Sequence, residues 1–243
     1  MQRGNDSAPE IIIPDTCVDI IYDIDEISHT VSDSFYGIND HSFRVSGRTD
    51  TGHRTTTFAI RFYAWSAYAM AEDSLRFTMN GYFEVDSLFQ WLDTVIRPEL
   101  SGLKTLQERT SFAERLLCGR LSGVKENKTV DQTIQNILIN RGSLEVSDLA
   151  RESFVSTRQL ERLFHEYIGI TPKKLSNLIR YQFLWRDLLC ETDFDVLNAV
   201  HKYGYTDQSH LLREFKRYHS MDMRSARTLA FQDVGNIQDV SDR

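Results

Sequence analysis

The sequence predicts an α+β protein in which a mainly β N-terminal domain, a sheet or small barrel with following helices, precedes an all-α C-terminal domain. Up to about Phe83 the chain consists of short apolar or alternating segments separated by turn residues, which is typical of antiparallel strands. From Asp86 onward the apolar residues recur with the helical period. In the C-terminal half one helical pattern occurs twice, which indicates two copies of one structural unit.

Four N-terminal segments carry the strand prediction because β-branched and aromatic residues dominate them. Turns are expected between them at Asn39-Asp40, Gly47 and Thr51-Gly52, and a short helix is expected around Trp65 to Met70. The predicted strands are Ile11–Ile13, Val18–Tyr22, Ser42–Val45 and Thr57–Phe62.

Two helices are expected after the strands. The first begins at Asp86 and ends before Pro98, because proline cannot donate the next helical hydrogen bond. Its predicted inward face is Leu88, Phe89, Leu92, Val95 and Ile96. The second runs from Leu103 to Leu121 and is the candidate dimerisation helix, with Leu106, Leu117 and Leu121 partly exposed. The polar stretch 122–128 then reads as part of an interdomain linker.

Composition and charge limit the function classes. Hydrophobic residues make up 41% of the 243 residues, enough for buried cores. The formal charge is −7, with the acidic excess entirely in residues 1–121, which argues against a surface that binds nucleic acid everywhere. A signal peptide and a long apolar run are both missing, so a cytoplasmic protein without membrane contact is expected. Cys17, Cys118 and Cys190 lack metal-site spacing and are expected to be reduced thiols.

The internal repeat is the informative feature of the C-terminal half. Leu160, Arg162, Phe164 and Tyr167 recur at a fixed offset as Leu211, Arg213, Phe215 and Tyr218. Each set follows an N-cap candidate, Ser156 or Asp207. Each is also preceded by a short apolar helix, Val146–Glu152 or Val196–Tyr203, and a tight connection. The repeated unit is therefore helix, short turn and helix.

The apolar stripe of each second helix leaves a polar face pointing outward. If Leu160, Leu163, Phe164 and Tyr167 pack inward, the outward residues are Thr157, Arg158, Glu161, Arg162 and His165. On the repeated helix the outward residues are Gln208, Ser209, Arg213, Lys216 and Arg217. Arginine binds guanine in bidentate fashion, glutamine suits adenine, and a Lys-Arg pair suits phosphate. The pattern indicates DNA-reading helices, although an all-helical interaction domain would also carry such faces.

A long helix is expected to join the two units. Thr171 is an N-cap candidate, Pro172 suits the first helical position, and the helix should reach Cys190. At 1.5 Å per residue it is roughly 28 Å long. That length is comparable to the ~34 Å between successive major-groove faces on one side of B-DNA.

The same residues carry a family resemblance. From about Thr129 to Leu229 the chain closely resembles the DNA-binding domain of AraC/XylS transcription regulators. The stretches that carry it are Asp148-Leu149-Ala150, Val155 to Phe164, Gly169-Ile170-Thr171-Pro172, Tyr203 to Leu211, and Arg213 to Lys216.

The resemblance implies two helix-turn-helix units that read consecutive major-groove segments of double-stranded promoter DNA, most often to activate transcription with RNA polymerase. It places base-facing positions at Arg158, Glu161 and Arg162 in the first unit, and at Gln208, Ser209, His210 and Arg213 in the second. The full expected DNA-contact set is Thr157, Arg158, Glu161, Arg162, Gln208, Ser209, His210, Arg213, Lys216 and Arg217. The implied division is residues 1–121 for effector sensing or dimerisation, 122–130 as linker, 131–231 for DNA binding and 232–243 as tail.

The chain departs from the family pattern at four places. Phe154 stands in the first turn where glycine is usual, and the Ile-Ala pair of the second unit appears as Ala199-Val200. The closing Gly-x-x-Pro appears as Ser220 to Met223, and Leu212 occupies an outward position that is commonly polar. These changes bear on how the second unit docks.

The N-terminal half resembles, more weakly, an uncharacterised domain that precedes this DNA-binding module in some regulators. The carrying residues are Pro14 to Ile21 and Phe58 to Phe62. In the wider family this half senses an effector, dimerises, or does both, so a small-molecule effector and a second copy of the chain are candidate partners.

Other N-terminal residues have competing interpretations. Arg61 could neutralise a carboxylate ligand, but a structural pair with Asp15 or Asp19 is favoured. Tyr63, Trp65 and Tyr68 could line a pocket, with core packing the preferred alternative. His41 and His53 are not expected to bind metal, and no cofactor is expected.

The residues leave three functional interpretations open. An effector-responsive DNA-binding activator leads, and a regulator controlled by a partner protein through an N-terminal docking or dimerisation module is the alternative. A closed, apolar-lined cavity within residues 10–85 would favour the first, and a filled core with an exposed apolar helix patch the second. The third, a helical scaffold with an N-terminal enzyme, is disfavoured because no catalytic motif is found, and no enzyme is expected.

Overall fold

The computed structural model describes residues 10–45, 55–121 and 125–231. The predicted turns at Gly47 and Thr51-Gly52, His53, part of the linker and the tail 232–243 lie outside these residues. Within them the α+β prediction is confirmed, with strands in the N-terminal half and helices throughout the C-terminal half.

The N-terminal strands form two antiparallel sheets. One pairs β1 (Glu10–Ile12) with β4 (Phe43–Val45), and the other has the order β5-β2-β3-β6. Its strands are β2 (Cys17–Asp25), β3 (Val31–Tyr36), β5 (Thr55–Tyr63) and β6 (Tyr82–Phe83). The alternation in β2 places Val18, Ile20, Tyr22 and Ile24 on the buried face.

Strands β3 and β6 were not predicted from the sequence. Three of the six residues of β3 are Ser or Asp, so its hydrophobic pattern is weak. Pairing with β2, which sets Phe35 opposite Ile20, and the complete burial of Phe35 stabilise it instead. Strand β6 is only two residues long and pairs with β3 through Phe35 and Tyr36.

Helices α1 (Ala64–Met70) and α2 (Asp86–Leu100) pack on the sheet, and the first confirms the short predicted helix. The prediction that Pro98 ends α2 was wrong, because the helix continues to Leu100, whose side chain is fully buried. Val95 was also wrongly placed on the inward face, since it is exposed. The Phe89 ring lies 5.3 Å from that of Phe35 and fills the space between helix and sheet.

Helix α3 (Leu106–Arg120) is shorter than predicted at its N-terminus. Thr105 and Glu108 form a capping box in which each side chain satisfies a backbone N–H of the other, which sets the start at Leu106 rather than Leu103. Leu106 and Leu121 are exposed, and Leu117 is half-buried, as expected for this helix.

The C-terminal half consists of helices only, in the order that the repeat predicts. They are α4 (Lys128–Ile139), α5 (Val146–Glu152), α6 (Thr157–Tyr167), α7 (Pro172–Cys190), α8 (Val196–Lys202) and α9 (Gln208–His219), followed by helical residues 223–231. Thr171 caps α7, and the bounds of α5 and α7 match the prediction.

Helix α7 is the common core of both units. Leu175, Leu178 and Ile179 are buried near its start, and Leu184 and Leu188 near its end, while Phe183 and Leu189 of the predicted stripe are half-buried. Helices α4, α6 and α9 all pack against it. A single helix therefore braces both helix-turn-helix units, as predicted from its apolar stripe.

Candidate nucleic-acid interface

The first candidate reading helix, α6, begins at a side-chain cap. The Ser156 hydroxyl accepts a hydrogen bond from the Gln159 N–H at 3.2 Å, which satisfies one free N–H of the first turn. Leu160 and Phe164 are fully buried, Leu163 is nearly so, and Tyr167 is half-buried against the core. The predicted inward stripe and the predicted cap are both confirmed.

The outward face of α6 carries the predicted polar residues. All five are exposed: Thr157, Arg158, Glu161, Arg162 and His165. Arg162 lies 3.7 Å from the Glu166 carboxylate, a long and solvated ion pair that holds the guanidinium only weakly. Arg158 stands one turn closer to the N-terminus. The guanidinium groups of both arginines are therefore accessible to a ligand on this face.

The second candidate reading helix, α9, repeats this construction. The Asp207 carboxylate accepts a hydrogen bond from the His210 N–H at 2.7 Å, and Leu211, Phe215 and Tyr218 are buried. Five of the predicted residues are exposed: Gln208, Ser209, Arg213, Lys216 and Arg217. His210 differs because it is half-buried, with its ring packed edge-on against Tyr205 at 5.3 Å.

A buried ion pair that was not predicted from the sequence orients α9. Arg180 of α7 donates two hydrogen bonds to Glu214 Oε1, at 3.0 and 3.3 Å, and one to Oε2 at 3.2 Å. The Tyr205 hydroxyl donates to the same Oε1 at 2.8 Å, and the Arg180 guanidinium lies 4.3 Å from the Tyr205 ring centroid. Burial and the charge of Glu214 raise the pKa of Tyr205, which keeps its hydroxyl protonated. The sequence signal that could have revealed this pair is the presence of opposite charges, Arg180 and Glu214, on the inward faces of α7 and α9.

The turn before α9 is fixed from both sides. Tyr205 joins the Arg180–Glu214 pair, and the Tyr203 hydroxyl donates to the Asp187 carboxylate and to the Phe183 carbonyl oxygen. Burial opposes ionisation of Asp187, but hydrogen bonds from Lys202 and Tyr203 outweigh it and lower its pKa. Two tyrosines that flank Gly204 thus anchor the turn to α7 and fix where α9 begins.

The two turns share one backbone geometry but differ in sequence. Phe154 and Gly204 each follow the helix C-cap with a positive φ, +55° and +65°. In both turns the next residue donates its N–H five residues back along the chain, Val155 to Ala150 and Tyr205 to Val200. The Phe154 side chain is 90% exposed, so burial does not offset the strained backbone. The unusual residue is thus accommodated without altering the unit.

The other candidate residues of the N-terminal half form structural contacts. Arg61 binds both Asp19 oxygens, at 2.7 and 2.8 Å, and Asp15 at 3.0 Å, so the favoured structural pair is confirmed. Tyr68 is buried in the core, as preferred, whereas the core packing expected for Tyr63 was wrong, because Tyr63 is exposed and stacks on Trp65 at 4.7 Å. His41 is exposed beside Asp40. Over residues 10–45, 55–121 and 125–231, no cluster of metal-ligating side chains is found.

An open groove of about 570 Å³ lies between the sheet and the start of α3. Its walls are Glu26, Ile27, Thr56, Thr57, Phe58, Lys104, Leu106 and Arg109. The buried Arg109 side chain at this groove donates to Glu26 at 3.1 Å and to the Leu103 carbonyl at 3.0 Å. The groove is therefore polar as well as apolar. Among the described helices, none combines the length and hydropathy that a membrane crossing requires.

Comparisons with known proteins match either the C-terminal half or nearly the whole chain. A family model described as a helix-turn-helix domain matches residues 149–228. No curated protein matches the chain significantly. A Chromobacterium violaceum transcriptional regulator with an AraC-type DNA-binding domain is 24% identical over 41% of this chain and 89% of its own, with a TM-score of 0.38.

Two further solved structures are similar to this chain. The C-terminal domain of AraT, a response regulator from Geobacillus stearothermophilus, is 22% identical over 42% of this chain and 86% of its own, with a TM-score of 0.40. ToxT from Vibrio cholerae is 12% identical over 89% of this chain and 92% of its own, with a TM-score of 0.43.

The family match spans α6 to α9, the elements in which the capped helix, its outward polar face and its turn are duplicated. The resemblance stated from the sequence is therefore confirmed over this region. Residues 149–228 form a helix-turn-helix domain.

Proposed function

We propose that the chain binds a specific promoter sequence through α6 and α9 and activates transcription from it, in the cytoplasm and without enzymatic activity. The observation that carries the proposal is the duplicated helix, capped at its N-terminus and exposed on one polar face, at each end of α7. DNA binding is assigned to residues 131–231, joined to the N-terminal domain 1–121 by residues 122–130.

The proposed roles follow from side-chain chemistry. Arg158, Arg162 and Arg213 read guanine through paired hydrogen bonds, and Gln208 reads adenine. Lys216 and Arg217, one turn further along α9, neutralise phosphates. The remaining predicted residues complete each surface by hydrogen bonding to bases or to the DNA backbone: Thr157, Glu161, Ser209 and His210.

The long helix sets the proposed spacing. Its 19 residues span roughly 28 Å and hold both reading helices on one side of the duplex. The two subsites should then lie about 10 base pairs apart, one turn of B-DNA. Contact with RNA polymerase is proposed to follow once the chain occupies its promoter site.

For the N-terminal domain we propose control through a protein surface, with a small-molecule effector as the alternative. Leu106 and Leu121 of the α3 region are 71% and 56% exposed, and their spacing with Leu117 places them on one side of the helix. The core beneath is filled by Tyr22, Phe35 and other buried side chains. The groove beside α3 is open and partly polar, so these features favour a second copy of the chain or a partner protein.

The deciding experiment selects duplexes from a random-sequence DNA pool with the full-length protein and then footprints the enriched sequence. Two protected segments about one helical turn apart are expected. Inserting about five base pairs between them should rotate one subsite to the far side of the duplex and remove simultaneous binding. Enrichment of no sequence would refute specific recognition, and an unchanged footprint and affinity after insertion would refute rigid coupling.

A separate measurement tests the proposed protein surface. If the wild-type chain is a dimer, Leu106→Glu should make it a monomer in sedimentation at micromolar concentration. If the wild-type chain is a monomer, the same substitution should prevent it from binding its partner protein. Arg115→Gln, at an exposed position on the opposite side of the same helix, changes the charge by the same amount and is the control. Saturable binding of a small molecule that changes DNA affinity would favour the effector alternative instead.

A further inference from the structure

The N-terminal domain holds the C-terminal end of the first reading helix. The Glu166 carbonyl oxygen of α6 accepts the Leu75 N–H at 3.1 Å and the Ser74 hydroxyl at 2.9 Å. The adjoining Tyr167 ring packs edge-on against Tyr68 of α1 at 4.8 Å. These bonds use a carbonyl that has no partner within its own helix, so they bind the end of α6 to the loop 71–81.

The same domain holds the C-terminal end of the second reading helix. Ser42 donates its N–H to the Tyr218 carbonyl oxygen of α9 at 3.1 Å, and its hydroxyl donates to the Ser220 hydroxyl at 2.6 Å. Ser220 is the C-cap of α9, with a φ of +60°. The loop 37–42 therefore binds the C-terminal end of α9, just as the loop 71–81 binds the C-terminal end of α6.

Asp40 joins these two loops to each other and to α7. Its N–H donates to Asn80 Oδ1 at 3.0 Å, and Asn80 Nδ2 donates to Asp40 Oδ1 at 2.8 Å. The other carboxylate oxygen, Oδ2, accepts from Lys174 Nζ in the first turn of α7 at 2.8 Å. Burial opposes the charge of Asp40, but hydrogen bonds from Lys174, Asn80 and His41 outweigh it and hold its pKa well below the ordinary value.

The contact between the loop 71–81 and the connection from α6 to α7 leaves no room for a side chain at Gly169. A Cβ at Gly169, between α6 and α7, would lie 2.7 Å from the Leu75 carbonyl oxygen, and the φ of Gly169 is +84°. Glycine there lets the loop 71–81 approach the backbone directly. Meanwhile Arg158 and Gln208, at the opposite ends of α6 and α9, remain exposed. The N-terminal domain thus contacts the C-terminal ends of the reading helices and leaves their N-terminal ends, which are proposed to face DNA, uncovered.

We propose that Asp40 is a positioning residue for DNA binding, which sets the separation and angle of α6 and α9 and thereby the subsite spacing that the protein accepts. The inference rests on the proposed function of these helices. Loops 37–42 and 71–81, which Asp40 and Asn80 join by hydrogen bonds, contact both reading helices, and Lys174 of α7 supplies the third attachment. Duplexes with a different spacing can engage both helices only after these contacts open, which lowers their affinity.

The test compares binding to the selected duplex with binding to the same duplex lengthened or shortened by one base pair between the subsites. Wild-type protein should discriminate against the altered spacings. Because a charge-assisted hydrogen bond network must open in the wild type but not in the variant, Asp40→Ala should reduce that discrimination by about three- to tenfold. Its affinity for a duplex with one subsite should match that of the charge control within about twofold.

Glu84→Gln is the matched control, because it removes one negative charge from the same domain, as Asp40→Ala does, but at an exposed position away from the contact. It should leave the spacing discrimination unchanged, which separates positioning from general electrostatics. Lys174→Met removes the other side of the contact and should produce the same loss as Asp40→Ala, with no further loss in the double variant. Thermal unfolding of each variant identifies any that fails to fold, and Asp40→Asn then serves as the milder substitution.

The outcomes separate the two proposals. Enrichment of no sequence by the wild type would refute the proposed function, and with it the positioning role. A selected sequence that the wild type and Asp40→Ala discriminate equally among spacings would overturn the role of Asp40 alone. An equal loss of affinity of folded Asp40→Ala on every duplex would also overturn it, because a merely structural role predicts that result.

Discussion

Replacing Phe154 by glycine should stabilise the protein, because the chain already contains the same turn with glycine at the matching position. Phe154 and Gly204 both have a positive φ after the C-cap of a short helix. A side chain costs roughly 1–2 kcal/mol in the left-handed region. Glycine returns roughly 0.5–1 kcal/mol of this through the larger entropy of its unfolded state.

The net gain expected for Phe154→Gly is therefore about 0.5–1 kcal/mol, since the 90% exposed ring contributes little burial. Equilibrium denaturation should show a higher midpoint with an unchanged slope, and the melting temperature should rise by about 1–4 °C. The reverse substitution, Gly204→Ala, should destabilise by a similar amount. Its Cβ would meet Ser143 Cβ only at an ordinary 3.5 Å, so the effect isolates the backbone.

A loss of stability in Phe154→Gly would refute this reasoning, because it would mean that the ring makes contacts that outweigh the strained φ. Loss of DNA affinity with the expected gain in stability would instead assign the exposed ring to the DNA or partner surface. Both quantities can be measured on the same preparations.

Three further predictions concern the C-terminal half. Burial lowers the pKa of His219 to about 4 from 6.5, so the stability that its neutral form provides should be lost as pH falls from 6.5 to 4. About 3 kcal/mol is expected, and His219→Gln should flatten that dependence in pH-resolved denaturation. Glu214→Leu should lower the free energy of unfolding by about 3–5 kcal/mol, because it leaves Arg180 buried without its carboxylate partner. The double variant with Arg180→Met should recover much of that lost stability, and additive losses of the two substitutions would contradict this reasoning. Arg158→Ala and Arg213→Ala should each cost about 1–3 kcal/mol on the selected duplex and relax base preference, whereas Lys216→Ala should weaken binding to all sequences; equal losses on selected and random DNA would argue against base reading.

The reading helices were predictable because their signals are local. An N-cap, an apolar stripe with the helical period and a turn residue all lie within a few positions of one another, and the repeat shows each of them twice. Ser156, Asp207 and Thr171 were therefore correctly identified as caps, and Arg158 and Arg213 as outward-facing. Local hydrogen bonding and side-chain periodicity determine these features before any tertiary contact forms.

Other features depended on partners distant in the chain. Strand β3 forms through its pairing with β2 despite a polar sequence, and α2 continues past Pro98 because Leu100 is buried. The ion pair of Arg180 with Glu214 joins two helices whose separate patterns do not reveal which charges meet.

Contacts between the domains were the least predictable from sequence. Asp40 was expected only as a turn residue, yet it contacts Asn80 and Lys174, far along the chain. Such pairs arise from the folded path of the backbone, because a hydrogen bond requires two atoms within about 3 Å and sequence separation alone does not determine that distance. The sequence by itself determined which helices present polar faces, whereas only the tertiary structure decided how the N-terminal domain holds them, since that depends on the meeting of two loops and three helix ends.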